Sequence, residues 1–122
     1  MAAGVLLTIS SWLGVLALLA MGVFGLFRPA GFAAQVGVRA ENALGLGELR
    51  ALFGGFMLAM AAVLVCIGTP GMYLSIGLLW VGATVAKTLS IFLDNPPTKE
   101  GIQAVVADVV IAALVLSGYY RH

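Results

Sequence analysis

The chain has 122 residues, of which 62% are hydrophobic and only 9% charged, with a formal net charge of +1. A soluble globule of this size needs more polar surface than that, and a few scattered Lys and Arg without interleaved aromatics exclude an electrostatic nucleic-acid surface. The apolar runs carry no charged outer face, which is the pattern of helices that face lipid.

The first run covers about residues 5–27. The stretch before it, Met1-Ala2-Ala3-Gly4-Val5, lacks the basic start of a secretory signal, and the apolar run behind it is too long for a signal's core, so it reads as a retained span. It ends at Arg28-Pro29, where the ring of proline interrupts the helical ladder and arginine reaches toward the headgroups. Residues 30–46 follow, rich in Gly and Ala but carrying Gln35, Arg39, Glu41 and Asn42. They are too polar to cross the bilayer and too apolar for a free linker, so they are expected to lie along the interface, with room for a short helix.

The second run, about 47–67, stops at Gly68-Thr69-Pro70-Gly71, a dense turn signal. A reversal that tight predicts that the third run, about 72–93, packs antiparallel beside the second. Asp94-Asn95-Pro96-Pro97-Thr98-Lys99-Glu100 then forms a polar connection to the fourth run, about 101–120. Each run is long enough to cross about 30 Å of hydrocarbon at 1.5 Å per residue. The expected fold is therefore all-α, a single domain that forms an up-down bundle of four transmembrane helices. Trp12, Tyr73, Trp80, Tyr119 and Tyr120 include the expected interface anchors, and Arg121-His122 is expected to close the chain in water.

Four charged residues stand inside or at the mouth of these runs: Glu48, Arg50, Lys87 and Asp108. Lys87 precedes Asp94 by seven residues and Asp108 follows Glu100 by eight, so both lie roughly 10 to 12 Å from the same membrane face and can meet. The second span starts on that face as well. Charges in hydrocarbon are costly unless they find one another, which predicts a Lys87–Asp108 ion pair with Arg50 close by and hydroxyls from Thr84, Thr88 and Ser90 in support. Glu48 and Arg50 are two residues apart and point about 200° from one another, so each needs a partner elsewhere. The cluster has two readings, a lock on bundle register and a polar site for an anionic headgroup, a small solute or a proton.

Small residues recur every fourth position at Gly47, Ala51, Gly55 and Ala59, and again at Gly82, Ala86 and Ser90. Stripes of this kind let helix backbones approach where lipid is as apolar as leucine, so they are expected to be packing faces. Asp108 falls in line with Ala104 and Ala112, a stripe narrow enough for the third span to approach. Cys66 is the lone cysteine, which removes any intrachain disulfide and argues against a thiolate metal site; it is expected to pack as a small apolar residue. His122 is the lone histidine, and no nucleophile–base set, metal cluster or phosphate-binding loop can be assembled. The expectation is a protein that is not an enzyme and needs no cofactor or metal.

The segment Glu48-Leu49-Arg50-Ala51-Leu52-Phe53-Gly54-Gly55 resembles a family of small four-span bacterial membrane proteins, known only as a domain of unknown function. That family shows E-L-R-A, an aromatic two residues on, and a glycine pair. Lys87 seven residues before Asp94, the prolines Pro96 and Pro97, and Asp108 in the last span agree with it. The family more usually has arginine at Lys87, glycine at Asn95 and glutamate at Asp108, so the signs of charge are kept. The resemblance implies a multi-pass protein of the bacterial inner membrane and adds no substrate.

The expected function is that of a non-catalytic component that packs against itself or a larger membrane complex through its small-residue faces; the alternative is a binder or carrier of a lipid or small solute at the charged cluster. Membrane lipids, and a homo-oligomer or larger complex, are the expected partners. The excess of Lys and Arg in the first and third connections places these in the cytoplasm and both termini outside.

Overall fold

A computed structural model describes residues 2–94 and 98–121. Asn95, Pro96, Pro97 and His122, which the sequence reading places in the third connection and at the solvated end, lie outside the described residues. The described chain is all-helical: α1 (Ala2–Phe27), α2 (Pro29–Gln35), α3 (Ala43–Arg50), a π-helical turn (Ala51–Gly55), α4 (Phe56–Cys66), α5 (Pro70–Leu93) and α6 (Lys99–Tyr120). Four stretches are long and apolar enough to cross a membrane, the second of them being α3, the π turn and α4 in one continuous run. Their outer faces carry Leu16, Val23, Leu78, Val85 and Val106, all exposed, as expected of surfaces that meet acyl chains.

Each span starts a few residues before the position expected from the sequence, and capping sets the starts of the last three. The Asn42 side chain accepts from Gly45 N–H at 2.8 Å and starts α3 at Ala43, so residues 43–46 belong to the second span and not to the interfacial connection. Thr69 caps α5 with Pro70 in its first turn, and Thr98 caps α6. Gly37 and Gly68 hold positive φ of 79° and 60° and terminate α2 and α4, conformations in which a side chain is strained. The short α2 is tied down by Phe32, which meets Phe24 edge-on at 5.4 Å and Phe53 at 5.0 Å.

The order of the spans in space differs from the expected hairpin of second and third. The second span packs on α1, α1 packs on α6, and α6 packs along the length of α5, whereas α4 and α5 barely touch. The tight turn at residues 68–71 reverses the chain without bringing the two helices together. The reason lies in where backbones can approach. A Cβ on Gly25 would run into the Phe53 carbonyl, and one on Gly54 would stand 2.8 Å from Leu26 Cα; on the other side of the bundle, Gly77 receives Leu116 and Gly118 receives the Tyr73 ring. A core drawn from all four spans, including Leu18, Leu64, Tyr73 and Val115, lies behind these seams.

The small-residue stripes do not form the seams within this chain. Gly47, Ala51, Gly55 and Ala59 are all exposed, as are Gly82, Ala86 and Ser90. Nothing stands within 4 Å of a Cβ built at Gly47, Gly55 or Gly82. Within the second span Phe56 N–H reaches back five residues to the Ala51 carbonyl, and on both sides of this π turn the repeat stays on the outward face. The buried set is instead Leu49, Gly54, Met57, Ala61 and Leu64.

Adjacent glycines therefore separate packing from composition. Gly54→Ala is expected to lower stability in detergent by about 1 to 3 kcal/mol because it forces the first two spans apart, while Gly55→Ala is expected to be neutral or slightly stabilising. Thermal unfolding of the two variants checks this, and equal losses would contradict the crossing described here.

Candidate functional site

Lys87, on α5, and Asp108, on α6, face one another because these two helices run together along their length. Lys87 Nζ lies 2.8 Å from Asp108 Oδ2, and among the described residues this is the ion pair of the molecule. The contact is short but not aligned as a directed hydrogen bond, so Oδ2 is held by charge alone. Burial of the two is unequal, with 6% of the Asp108 side chain exposed against 41% for Lys87. The carboxylate is thus fixed in the helix interface while the ammonium keeps donors free for a third group.

The remaining members of the expected cluster go elsewhere. Arg50 is exposed and its Nε donates to the Leu26 carbonyl at 3.0 Å, which satisfies an acceptor in the last turn of α1 and fastens the second span to the first. It takes no part in the Lys87–Asp108 pair, contrary to expectation. Glu48 is exposed at the same end of the second span and is likewise outside the pair. Thr84 and Thr88 donate to the carbonyls four residues back, of Trp80 and Thr84, and Ser90 donates to the Asp94 carboxylate at 2.5 Å. Hydroxyls in a helix that lack a nearby acceptor on another span bond their own backbone, and these three serve their own helix.

The gap between α4 and α5 forms a cleft of about 680 Å³. Its walls are Phe53, Phe56, Met57, Ala59, Met60 and Val63 from the second span, and Met72, Ile76, Leu79, Trp80 and Ala83 from the third, with Lys87 and Asp108 among the residues lining it. A second cavity, of about 550 Å³, is lined by Val36 and Gly37 of the connection after α2, Lys87, Ser90 and Ile91 of α5, and Thr98, Gly101 and Ala104 around the start of α6. Lys87 borders both.

The family described as Domain of unknown function (DUF4345) matches residues 6–119. The chain belongs to that family. No curated protein and no solved structure matches it. In this DUF4345 protein, residues 48–55 have a largely architectural explanation: Leu49 is buried, Arg50 holds Leu26, Phe53 stacks on Phe32, and Gly54 admits the α1 backbone. Glu48 and Gly55 face outward.

Sequence reasoning missed a second polar group at the other end of the bundle. Arg121 is half-buried; its guanidinium lies 5.1 Å from the Tyr73 ring centroid and 5.9 Å from that of Trp12, and it donates to Ser11 Oγ at 3.0 Å. Arg121 therefore closes the bundle instead of trailing into water. Tyr73 is fully buried beneath it and Trp80 is also buried, so neither is an interface anchor; Trp12, Tyr119 and Tyr120 stay exposed. Cys66 is exposed at the end of α4, not packed. The Arg121 group had no signal in the sequence, since it depends on a residue pairing across more than a hundred positions.

Unequal burial makes the ion pair's mutational response asymmetric. Lys87→Met strands a buried carboxylate and is expected to cost about 3 to 5 kcal/mol, whereas Asp108→Leu leaves a lysine that can extend toward water and costs about 1 kcal/mol. The double replacement should recover most of the first loss. Thermal stability of the three variants in detergent checks the cycle, and additivity would show that the two residues are not coupled.

Proposed function

We propose that this DUF4345 protein is a non-catalytic multi-pass protein of the bacterial inner membrane that holds a lipid-class amphiphile in the cleft between its second and third spans. The observation that carries this reading is the cleft itself. Two spans joined by a tight turn stand apart, leaving a volume within the range of small-molecule sites, with apolar walls and a single ion pair among them. A void of that size against a bilayer does not stay empty, because apolar walls without partner atoms lose their dispersion contacts. An acyl chain supplies those contacts and enters sideways from the membrane.

A second reading, attachment to a further copy or to a larger membrane complex, is favoured by the outward position of Gly47, Ala51 and Gly55 and of Gly82, Ala86 and Ser90, which are open to the close approach of another helix. The two readings overlap at Ala59, which lines the cleft, and at Ser90, which lines the neighbouring cavity, so a partner helix seated on those stripes would compete with a lipid there.

Ala59 and Ala83 line the cleft from opposite sides, so tryptophan at either position projects into it and covers the core residues Met57, Ile76 and Trp80 on its walls. In native mass spectrometry from mild detergent, the wild type is expected to retain a bound amphiphile and Ala59→Trp and Ala83→Trp to lose it, with thermal stability unchanged or raised. Retention of the same adduct by both variants, or its absence from the wild type, would overturn the proposal.

A further inference from the structure

Resting on that reading, we infer that the cleft takes an anionic phospholipid of the surrounding leaflet, with one acyl chain between α4 and α5 and its phosphate beside Lys87 in the cavity between α5, α6 and the connection after α2. Two features converge on this. Lys87 is shared by an apolar cleft and a second cavity whose described lining includes the hydroxyl residues Ser90 and Thr98, so one cationic residue borders a space suited to a tail and a space suited to a head. Among the described residues that line the second cavity, Lys87 is the one that carries charge.

The charge of the site follows from how its neighbours are used. Asp108 lies on the cleft side and does not line the second cavity. Asp94, the nearest acid along α5, accepts from Ser90 at the helix end. Lys87 meets Asp108 as an ion pair at 2.8 Å, and the partly exposed ammonium has donors to offer an anion. The first turn of α6, with Gly101 on the wall, carries Lys99 and Glu100, neither of which lines the cavity, so Lys87 is the charge that an occupant meets there.

Depth is consistent with a headgroup and not with a solute held at mid-membrane. The 24 residues of α5 extend about 36 Å, some 6 Å more than the hydrocarbon core, and Lys87 lies six residues, or about 9 Å, before the helix end. With the overhang shared between both ends, its Cα sits about 6 Å inside the core, within the reach of a lysine stem extended toward the phosphate level. A free inorganic anion would lack the contact with the cleft, and a partner helix would lack the phosphate.

The test compares phosphatidylglycerol with phosphatidylcholine of identical acyl chains, offered in equal amounts to the full-length protein in mixed vesicles and read as the ratio retained in native mass spectrometry. Wild type should favour phosphatidylglycerol by about fivefold, the effect of one lysine on an anionic lipid. Lys87→Arg should keep the preference. Lys87→Gln should bring the ratio to unity while total retained lipid persists, and the Lys87→Gln/Asp108→Asn pair, which leaves no stranded charge, should do the same if the single variant folds poorly. No headgroup preference in the wild type, or one that survives in the neutralised pair, overturns the inference and leaves the cleft reading intact. Competition of inorganic phosphate with the lipid, or retention of a second protein chain in place of lipid, also overturns it. Loss of all lipid from the wild type defeats both proposals.

Discussion

Helices in a bilayer associate only where their backbones can approach, because lipid removes the hydrophobic drive that assembles a soluble core. The seams of this bundle follow that constraint. Gly25 and Gly54 bring the first two spans together, Gly14 admits Leu114 and Val115 between α1 and α6, and Gly77 and Gly118 admit Leu116 and Tyr73 between α5 and α6. The α4–α5 pair has no equivalent seam, and there the structure opens. The cleft is therefore a consequence of where glycine is placed, and the ion pair, held in the α5–α6 seam, comes to border it.

Polar contacts reinforce this arrangement at both ends. On the side of the connections, Arg50 reaches the end of α1 and Phe32 wedges between Phe24 and Phe53. On the opposite side, Ser10 and Ser117 share a hydrogen bond of 2.6 Å across the α1–α6 seam, and Arg121 covers Tyr73. Hydrogen bonds between spans fix which faces meet once close approach has made them possible. The open side between α4 and α5 has no such bond among the described residues, which leaves its width free to suit an occupant.

Four spans, their all-helical class and the meeting of Lys87 with Asp108 were legible in the sequence, because apolar length and depth along a helix depend on local spacing alone. Which spans touch was not. The tight turn at Gly68-Thr69-Pro70-Gly71 correctly predicts reversal, yet adjacency depends on glycines distributed over the whole chain. Gly47 and Gly82 look like packing glycines by period and lie open, while Gly54 and Gly118, which no regular stripe marks, bear the close contacts. A small residue at every fourth position marks a face that another helix can approach, and Gly47, Ala51, Gly55 and Ala59 keep that face outward on both sides of the π turn. Arg50 was misplaced for a different reason: its partner is a backbone carbonyl, and carbonyls leave no signature in sequence.

The central claim is the spatial order of the spans, second beside first, first beside fourth, fourth beside third, with the cleft closing the circuit. Disulfide cross-linking in native membranes tests it most directly, after Cys66→Ser removes the natural thiol. A cysteine pair replacing Ser10 and Ser117, whose hydroxyl oxygens are 2.6 Å apart, should form a disulfide readily, whereas a pair replacing Ala59 and Ala83 across the cleft should not join without a long bifunctional reagent. A direct disulfide between positions 59 and 83, with none between 10 and 117, would mean that the second and third spans pack together and that there is no cleft.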